Sequence, residues 1–291
     1  MNFVFVILHY NVIAETVSCI KSIQDRVQIP VGIIVVDNCS PNGTGKELFE
    51  QYRGNNQVTV LLSEKNLGFA NGNNMGIQYA RKKLGADFVV VLNNDTYLVQ
   101  DDFLDVIEKE WRQSRFAVMG PKIHTYNGEN QNPVEHKITT IKEVNFWIRH
   151  HTWGLIRSYL GINGLYLNGK KRIKQLLGYK NKAVRTKESL NDVRQENVKL
   201  HGCCFVFSPA FFEHFEGFDK RTFMYVEEDI LFNHIKEKNL LTVYNPKLEI
   251  FHAEKAATKS ETKTSRKKEI FIYTEGLKSL RVLEKILNNH G

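Results

Sequence analysis

The chain has 291 residues, of which 42% are hydrophobic and 25% are charged, a composition that suits a globular core in one large domain or two small ones. Its four cysteines lack regular spacing, which excludes a disulfide framework. No apolar run approaches the roughly 18 to 20 residues of a membrane-spanning helix, and the first run reads as a buried strand and not as a signal peptide. We therefore expect a soluble or peripheral protein.

The net charge of +8 is concentrated in one segment. Residues 137–187 contain twelve lysines and arginines and one acid, so the rest of the chain carries a net charge of −3. Such a basic block points to an anionic partner, which could be a phosphorylated ligand, a membrane surface or a nucleic acid. Composition alone also allows a solvated basic loop without a function.

The first 120 residues alternate apolar runs with amphipathic stretches. Near-continuous apolar runs predict strands covered on both faces, at residues 3–8, 32–37, 58–62, 88–93 and 116–120. The stretches between them have compositions compatible with helices, at residues 13–26, 44–53, 70–84 and 101–113. This alternation predicts an α/β fold with a mainly parallel central sheet flanked by helices, whose ligand crevice lies beyond the carboxyl ends of the strands.

The rest of the chain is less regular. Residues 121–198 are basic, aromatic and weakly periodic, and they are interpreted as an insertion. The patterns that follow predict, in chain order, a strand at 198–208, a short helix from Pro209, an amphipathic helix at 227–238, a strand pair at 241–252 and a C-terminal helix at 266–288.

Polar side chains follow four of the predicted strands, on the sheet edge where the crevice should lie. They are His9 and Asn11 after the first strand, Asp37 and Asn38 after the second, Asn66 and Asn71 around Phe69 after the third, and Asn93, Asn94 and Asp95 after the fourth. Any one of these clusters could be ordinary turn or capping chemistry. Four clusters on one edge favour a binding site.

Two carboxylates in these clusters suggest specific ligands. Asp37, as an ionised acceptor, could receive the imide N–H of a uracil or thymine. Asp95 is the candidate for a hard divalent cation, because Mg²⁺ and Mn²⁺ prefer oxygen ligands and often bind a substrate's phosphates as well. The glycines at 68, 72 and 76 do not form a dinucleotide-binding fingerprint, but their spacing would let a helix lie close to the sheet.

Five stretches stand in a recognisable order along the chain. They are "VVDNCS", "NLGFANGNNMGI", "VVLNNDT", "GPKI" and, later, "HGCCFVFSPAFFEHFEGFDKRTFMYVEEDIL". Together they resemble glycosyltransferase family 2, most closely its bacterial rhamnosyltransferase-like members that build surface polysaccharides, over residues 1–125 and 198–258. The resemblance implies the GT-A nucleotide-sugar fold. We expect one such domain at 1–258, made of a nucleotide-binding half (1–120), a basic insertion (121–198) and an acceptor-side half (199–258), followed by a helical extension (259–291).

The resemblance implies a role for each matched position. Asp37 would recognise the base of a UDP- or dTDP-sugar, and Asp95 would hold the Mn²⁺ or Mg²⁺ ion that bridges the diphosphate. The family's D-x-D motif falls on Asn93-x-Asp95. Because Asn93 stands where many members have Asp and lacks its charge, it is a weaker metal ligand, and its amide is expected to bond a ribose or sugar hydroxyl. The full set assigned to the nucleotide sugar comprises His9, Asn11, Asp37, Asn38, Asn66, Phe69, Asn71, Asn93 and Asn94.

The last of these stretches carries the expected catalytic group. Inverting transfer needs a carboxylate that takes a proton from the attacking hydroxyl, and the family has an acidic pair where this chain has Glu227, Glu228 and Asp229. We expect Glu228 to be the base, with Asp229 as the alternative, although three acids also suit a helix N-terminus. The resemblance places His252 near the metal or diphosphate, whereas His201 is interpreted as a sheet-edge residue.

The predicted function is an inverting, metal-dependent glycosyltransferase that acts on a glycan, such as a lipid-linked oligosaccharide in capsule, O-antigen or exopolysaccharide assembly. The alternatives are a sugar-nucleotidyltransferase and a non-catalytic nucleotide-sugar-binding protein. Because residues 137–187 mix Trp and Tyr with Lys and Arg, we expect them to contact an anionic membrane surface and not a nucleic acid. The protein is then expected to be cytoplasmic and peripheral on the inner face of the plasma membrane. Its C-terminal amphipathic helix could pack on the core or on a second subunit, so a homodimer is a further expectation left open.

Overall fold

The central feature of the fold is one mixed β-sheet. A computed structural model describes residues 1–166, 169, 172, 192–254 and 266–289. Its strands are β1 (Phe3–His9), β2 (Gly32–Asp37), β3 (Val58–Leu62), β4 (Phe88–Asn93), β5 (Thr96–Leu98), β6 (Val118–His124), β7 (Gln195–Glu196), β8 (Cys204–Phe207) and β9 (Thr242–His252). They are hydrogen-bonded in the order β3-β2-β1-β4-β8-β6-β9-β5, and β7 also pairs with β9.

The strands β3-β2-β1-β4 are parallel, as the alternation of strands and helices predicts. His9 of β1 lies opposite Asp37 of β2, and Leu8 lies opposite Asn93 of β4, so the carboxyl ends of these strands meet at one edge. Beyond β4 the sheet is mixed, because β8 is antiparallel to both β4 and β6 while β6 and β9 are parallel. The predicted α/β fold is confirmed, with the purely parallel order confined to its first half.

Helices cover both faces of this sheet. The helices with defined bounds are α1 (Ile13–Arg26), α2 (Thr44–Gln51), α3 (Gly68–Lys83), α4 (Phe103–Ser114), α5 (Ile141–Tyr159), α6 (Pro209–Phe212), α7 (Glu227–Glu237) and α8 (Arg266–Asn288). Of these, α5 and α8 lie away from the sheet. On one face α1 and α4 contribute Ile20 and Ile107 to the core. On the other face α3, α6 and α7 contribute Ile77, Phe211 and Leu231. Apolar cover on both sides explains the continuous apolar runs of the inner strands.

The close approach of α3 to the sheet depends on glycine. A Cβ atom added at Gly72 would lie 2.6 Å from Leu8 Cδ1, and one added at Gly76 would lie 2.4 Å from Val6 Cγ1. A larger side chain at either position would push α3 away from β1, because protein interiors are close-packed. The prediction that this glycine spacing brings a helix against the sheet is confirmed.

Away from the sheet, α5, α7 and α8 share a separate apolar cluster. It contains Val144 and Ile148 of α5, Ile230 of α7, and Leu280 and Leu283 of α8. The helix α5 lies in the segment that the sequence presents as weakly periodic, and it is absent from the sequence-based prediction. The predicted C-terminal helix is confirmed as α8. Within the described part of the chain, we find no helix with the length and apolar character needed to cross a membrane.

Some predicted boundaries differ from the observed ones. The strand predicted at 198–208 is reduced to β8, because residues 202 and 203 form a turn before it. The strand pair predicted at 241–252 is the single strand β9, whose register against β6 shifts between Pro121 and Lys122. Part of the basic segment 137–187 and of the extension 259–291 lies outside the described residues, and the domain limits stay a prediction.

Candidate functional site

His9 and Asp37 lie side by side at the ends of β1 and β2. The His9 ring is fully buried, with Nδ1 2.7 Å from Thr16 Oγ1 and Nε2 2.9 Å from Thr44 Oγ1. Burial lowers the pKa of His9, which favours the neutral ring. His9 therefore joins the starts of α1 and α2 to the sheet edge, 4.0 Å from the Asp37 carboxylate.

Asp37 is buried against the first turn of α2. Its Oδ1 accepts hydrogen bonds from Ser40 Oγ at 2.5 Å and from Ser40 N at 3.2 Å. A Cβ atom at Gly45 would stand only 2.0 Å from Asp37 Oδ2, so glycine is required beside the carboxylate. Asp37 is thus a fixed acceptor at the sheet edge, as recognition of an imide N–H requires.

Asn11 provides a second acceptor at the same edge. Its backbone is in the left-handed region, with φ of 65°, and its N–H donates to Ser40 Oγ at 2.9 Å while its carbonyl accepts from Asn42 Nδ2 at 2.8 Å. The side-chain Oδ1 is buried and has no hydrogen-bond partner among the described residues. Because an unpaired buried acceptor costs free energy, Asn11 Oδ1 suits a donor supplied by a ligand.

Asn38 and Asn66 build the turn that begins α3. Asn38 Nδ2 donates to Asn66 Oδ1 at 3.0 Å and to the carbonyl of Gly68 at 3.2 Å, while Asn38 Oδ1 accepts from Leu67 N at 2.7 Å. Asn66 Oδ1 also accepts from Gly68 N at 2.9 Å. These amides lie at the sheet edge near Asp37, and their hydrogen bonds hold the turn before α3. Their contact with a nucleotide sugar stays a prediction.

Phe69 and Asn71 connect this turn to residues 218–222. The Phe69 ring packs edge-on against Phe218, with ring centroids 5.5 Å apart. Asn71 Nδ2 donates to the carbonyls of Lys220 and Thr222, at 3.1 and 3.2 Å. These contacts hold the loop that leads into α7, so the sheet edge that carries Asp37 is fixed relative to the acidic residues of α7.

Asn93 and Asn94 have different environments at the end of β4. Asn93 is half-buried, and its N–H donates to the carbonyl of Cys203 at 2.9 Å, which leaves the side chain at the edge. Asn94 is buried, and its Nδ2 is 3.2 Å from Thr16 Oγ1 and 3.4 Å from the carbonyl of Val12. Asn94 therefore supports the start of α1, while the partly exposed Asn93 stays the candidate for a ligand contact.

Asp95 and His252 are brought together by strand pairing. The short strand β5 runs antiparallel to β9 so that Thr96 lies opposite His252, and Asp95 O accepts from Ala253 N at 2.9 Å. As a result His252 Nε2 lies 3.4 Å from Asp95 Oδ1. The other ring nitrogen, Nδ1, is 2.7 Å from Gln131 Oε1, which orients the imidazole toward the carboxylate.

His201 belongs to the same cluster, although its sequence position suggested only a sheet edge. Its ring centroid lies 5.7 Å from that of His252, and ligand atoms of His201, Cys203 and His252 all lie within 4.8 Å of one another. Burial and His252 lower the pKa of His201 to about 4, which keeps it neutral. Burial raises the pKa of the Cys203 thiol, which disfavours the thiolate. The signal in the sequence that could have indicated a functional role for His201 is its position directly before the turn that leads into β8.

The donors at this edge can hold a divalent cation. One buried carboxylate, from Asp95, and two imidazoles, from His252 and His201, face a common region. Carboxylate with imidazole suits Mn²⁺, whereas Mg²⁺ prefers oxygen ligands alone. The residues present therefore fit the group that the D-x-D resemblance implies.

Glu228 faces this cluster from the first turn of α7. Its Oε1 accepts a hydrogen bond from Gly202 N at 2.5 Å, between His201 and Cys203 in sequence. Burial raises the pKa of Glu228, and the N–H of Gly202 and the charge of Lys199 oppose that rise. A half-buried carboxylate next to the cation donors can accept a proton from a hydroxyl that enters the crevice.

The neighbours of Glu228 have different environments. Asp229 is buried, and it accepts from Lys199 Nζ at 3.0 and 3.1 Å and from Ile138 N at 2.7 Å. Its carboxylate is thus committed to an internal ion pair, which argues against the alternative assignment of the base. Glu227 is also buried, its Oε1 has no hydrogen-bond partner among the described residues, and burial raises its pKa to about 7.

Known proteins resemble this chain in sequence. The profile of glycosyl transferase family 2 matches residues 4–215. The low-salt glycan biosynthesis hexosyltransferase Agl10 of Haloferax volcanii is 28% identical over 116 residues, which cover 39% of this chain and 36% of that protein. The N-acetylglucosaminyl-diphospho-decaprenol L-rhamnosyltransferase of Mycobacterium tuberculosis is 22% identical over 246 residues, which cover 82% of this chain and 72% of that protein. The chain thus spans little more than a third of the Haloferax protein.

Solved structures resemble it in fold. Staphylococcus aureus TarS 1–349 in complex with UDP has a TM-score of 0.51 and 15% identity, over 100% of this chain and 72% of the TarS chain. GalNAc-T7 with UDP, GalNAc and Mn²⁺ has a TM-score of 0.56 and 12% identity, over 87% of this chain and 44% of that chain. At these identities the likeness concerns the fold alone.

Proposed function

Because the chain belongs to glycosyl transferase family 2, we propose that it transfers a sugar from a UDP- or dTDP-sugar to a glycan hydroxyl, with inversion and with a divalent metal. The observation that carries this proposal is the closeness of Glu228 to the cluster of Asp95, His252 and His201, through the turn at Gly202. The glycosyltransferase class and the GT-A fold predicted from the sequence motifs are confirmed by the family match and the similar folds.

Donor recognition is proposed to begin at Asp37 and Asn11. A uracil or thymine base presents an imide N–H, and we assign the Asp37 carboxylate, which is held by Ser40, as its acceptor. The unpartnered Asn11 Oδ1 accepts a second donor of the nucleotide. Asn93, at the end of β4, lies on the path from the base toward the cation donors, and we assign it to a ribose or sugar hydroxyl.

The cation is proposed to bind between Asp95 and His252, with His201 as a further donor. Gln131 holds Nδ1 of His252 and so directs Nε2 toward Asp95. When bound, Mn²⁺ or Mg²⁺ stabilises the negative charge on the departing diphosphate, and the imidazoles favour Mn²⁺.

Glu228 is the proposed catalytic base. As its carboxylate takes the proton of the acceptor hydroxyl, the acceptor oxygen forms a bond to the anomeric carbon on the face opposite the diphosphate. The bond between that carbon and the diphosphate oxygen breaks, and the nucleoside diphosphate leaves with the electron pair. One displacement of this kind inverts the configuration. Gly202 N–H keeps the carboxylate oriented during proton transfer.

The proposed acceptor is a lipid-linked glycan at the cytoplasmic face of the plasma membrane. The Mycobacterium tuberculosis relative is named for L-rhamnosyl transfer to N-acetylglucosaminyl-diphospho-decaprenol, which supports hexosyl or deoxyhexosyl transfer of the same kind here. Surface-polysaccharide assembly, as in capsule, O-antigen or exopolysaccharide, is the pathway class we propose, with the protein peripheral on the inner leaflet.

Calorimetric titration with UDP tests the donor and cation assignments. We expect Mn²⁺ to tighten UDP binding to the wild-type protein, and we expect Asp95→Ala to lose this Mn²⁺-dependent gain by at least about tenfold, because a charged ligand is removed. Asp101→Ala is the matched control, since Asp101 is exposed and pairs with Arg26. An equal gain with Mn²⁺ in wild type and Asp95→Ala would contradict the cation site.

A panel of nucleotide sugars with a synthetic glycosylated lipid diphosphate tests the reaction. We expect release of UDP or dTDP and a product of inverted anomeric configuration, which NMR spectroscopy detects. When UTP or dTTP and a sugar 1-phosphate are supplied in place of the nucleotide sugar, release of pyrophosphate would indicate a sugar-nucleotidyltransferase. Tight binding without release of nucleotide from any donor would indicate a non-catalytic binding protein.

A further inference from the structure

One face of α5 is apolar and basic although it points to solvent. It consists of Lys142, Phe146, Arg149, Trp153, Ile156 and Leu160, which we call the α5 face. Successive members are three or four positions apart, so they form one stripe along the helix and its C-terminal residue. The exposed fractions of Phe146, Trp153 and Leu160 are 60%, 61% and 67%. Large apolar side chains in a contiguous exposed stripe indicate an interaction surface.

The opposite side of α5 is firmly packed, so the exposure of the stripe is not a consequence of a loose helix. A Cβ atom at Gly154 would lie 2.3 Å from the Tyr273 ring of α8, and one at Gly276 would lie 2.9 Å from the His151 ring. The C-terminal end of α5 is held by Arg266, which donates from Nε to Ser158 O at 2.8 Å. The two helices therefore pack closely, and the α5 face is the side that they leave outward.

The exposed apolar surface continues past the end of the helix. Ile162, Leu165 and Tyr166 are exposed by 43%, 74% and 46%. Arg157 lies over the Tyr166 ring, 4.0 Å from its centroid, which adds a cation close to the apolar surface. This combination of Trp, Tyr, Leu and Ile with Lys and Arg is typical of helices that lie in a membrane interface.

The charge of this region selects the partner. Between residues 137 and 166 the sequence contains a single acid, Glu143, which is used in the capping box with Thr140 at the start of α5. Two cations, Lys142 and Arg149, lie within the stripe itself. A second copy of the same face would bring these cations against their equivalents, whereas anionic lipid headgroups satisfy them and the acyl region receives the apolar side chains.

We infer that the α5 face binds the surface of a bilayer that contains anionic lipids. Through the apolar cluster of Val144, Ile148 and Ile230, α5 is packed on α7, the helix that carries Glu228. Binding to the bilayer therefore holds the acceptor side of the crevice near lipid headgroups. The inference rests on the proposed function and deepens it, because it assigns the peripheral attachment to one defined surface of the chain. Bilayer binding itself requires neither donor nor transfer.

Cosedimentation of the full chain with vesicles tests the inference. We expect binding to phosphatidylglycerol–phosphatidylcholine vesicles and much weaker binding to phosphatidylcholine alone. Lys142→Gln with Arg149→Gln should weaken binding by about fivefold for each cation removed. Trp153→Ala with Ile156→Ala should weaken it by at least about tenfold through the lost apolar burial. Both pairs are exposed, so unchanged thermal unfolding verifies that the variants are folded.

A matched control lies on another part of the surface. Phe49 in α2 and the adjacent Arg53 also form an exposed aromatic and cationic pair, with the guanidinium 5.7 Å from the ring centroid. Phe49→Ala with Arg53→Gln should bind vesicles as the wild type does. Fluorescence adds a direct probe. The emission of Trp153 should shift to shorter wavelength on addition of anionic vesicles, and Trp153→Phe should lose that shift.

Three results would overturn the inference. The first is failure of the wild type to sediment with anionic vesicles, and the second is equal binding of the wild type and the Trp153 and Ile156 double variant. The third is a wild-type dimer that this double variant converts to monomer, which would make the α5 face a protein interface. Transfer to a water-soluble acceptor should be unchanged in the α5-face variants. A failure of bilayer binding is thus distinguishable from a failure of the proposed function.

Discussion

Replacing each of two neighbouring carboxylates by its amide tests the assignment of the base. Glu228→Gln and Asp229→Asn remove the same charge from adjacent positions of α7. One oxygen of the Glu228 carboxylate accepts a hydrogen bond from Gly202 N, and the side-chain oxygen of glutamine can accept that hydrogen bond equally well. The Asp229 carboxylate is instead the partner of the buried Lys199 ammonium. We expect the first variant to lose transfer and the second to lose stability.

The expected magnitudes follow from these environments. Loss of a general base typically reduces the rate by about 100- to 10,000-fold, so Glu228→Gln should show that reduction in kcat. Lys199 and Asp229 are 7% and 10% exposed, and removing one member of a buried ion pair costs about 3 to 5 kcal/mol, because the other charge is left uncompensated. At about 2 to 4 °C per kcal/mol for a large domain, that corresponds to a fall in Tm of roughly 6 to 20 °C.

Two measurements distinguish the variants. Single-turnover transfer should be lost in Glu228→Gln while UDP affinity and Tm stay close to wild type. Asp229→Asn should unfold at lower temperature and, below its Tm, should retain transfer. The reasoning is refuted if Glu228→Gln turns over normally, or if Asp229→Asn has the stability of the wild type and no activity, because Asp229 would then be the base.

Three further predictions concern single positions. Gly45→Ala should weaken binding of UMP by at least about tenfold by displacing the Asp37 carboxylate, measured by calorimetry. In Glu227→Gln, the free energy of unfolding should lose up to about 3 kcal/mol of its variation with pH, measured by urea titration from pH 4.5 to 8. Gly154→Ala should lower stability by about 1 to 3 kcal/mol, because its methyl group would meet the Tyr273 ring.

The sign of the Glu227 prediction comes from its pKa in the folded and unfolded states. Burial raises the folded pKa from 4.5 to about 7, so the native state binds the proton more tightly than the unfolded chain. The stabilisation is complete below pH 4.5, and it is lost as the pH rises through 7. Glu227→Gln has no such proton to lose, so its stability relative to wild type should increase over that range. A constant difference between the two proteins would contradict the burial of Glu227.

Controls separate the other two predictions from general damage. Gly164→Ala adds the same methyl group as Gly154→Ala at a position with no atom within 4 Å of the new Cβ, and its stability should not fall. For Gly45→Ala, UMP binding is measured well below the Tm of the variant, so that any loss of stability does not account for the weaker binding. If UMP binds normally, Asp37 does not contact the nucleotide.

Much of the first half of the fold follows from local sequence patterns. The strands β1, β2 and β4 are buried on both faces, so their apolar runs are continuous and can be recognised without knowledge of their neighbours. Strand direction follows from the intervening helices, and it places Asp37, Asn93 and Asp95 at one edge. The close approach of α3 to the sheet also follows from a local pattern, because glycines at a spacing of four have no side chain that would hold the helix away.

The helix α5 shows where local patterns fail. Helices are usually recognised from an apolar stripe facing the core and polar residues facing water. In α5 the packed side includes Gly154 and Ser158, while the outward side carries Phe146 and Trp153, so the usual contrast is weak. Only its packing on α8 identifies which side is buried.

The order of residues along the chain predicts which residue types stand at the sheet edge, whereas contacts between distant residues set what each of them can do there. Glu228 and Asp229 are adjacent acids with the same intrinsic chemistry, but Lys199, far away in sequence, pairs with one and leaves the other facing the crevice. His201 and His252 likewise become neighbours only through the pairing of distant strands. Proton affinity and metal binding depend on burial and on charges within a few ångströms, and folding alone creates those distances.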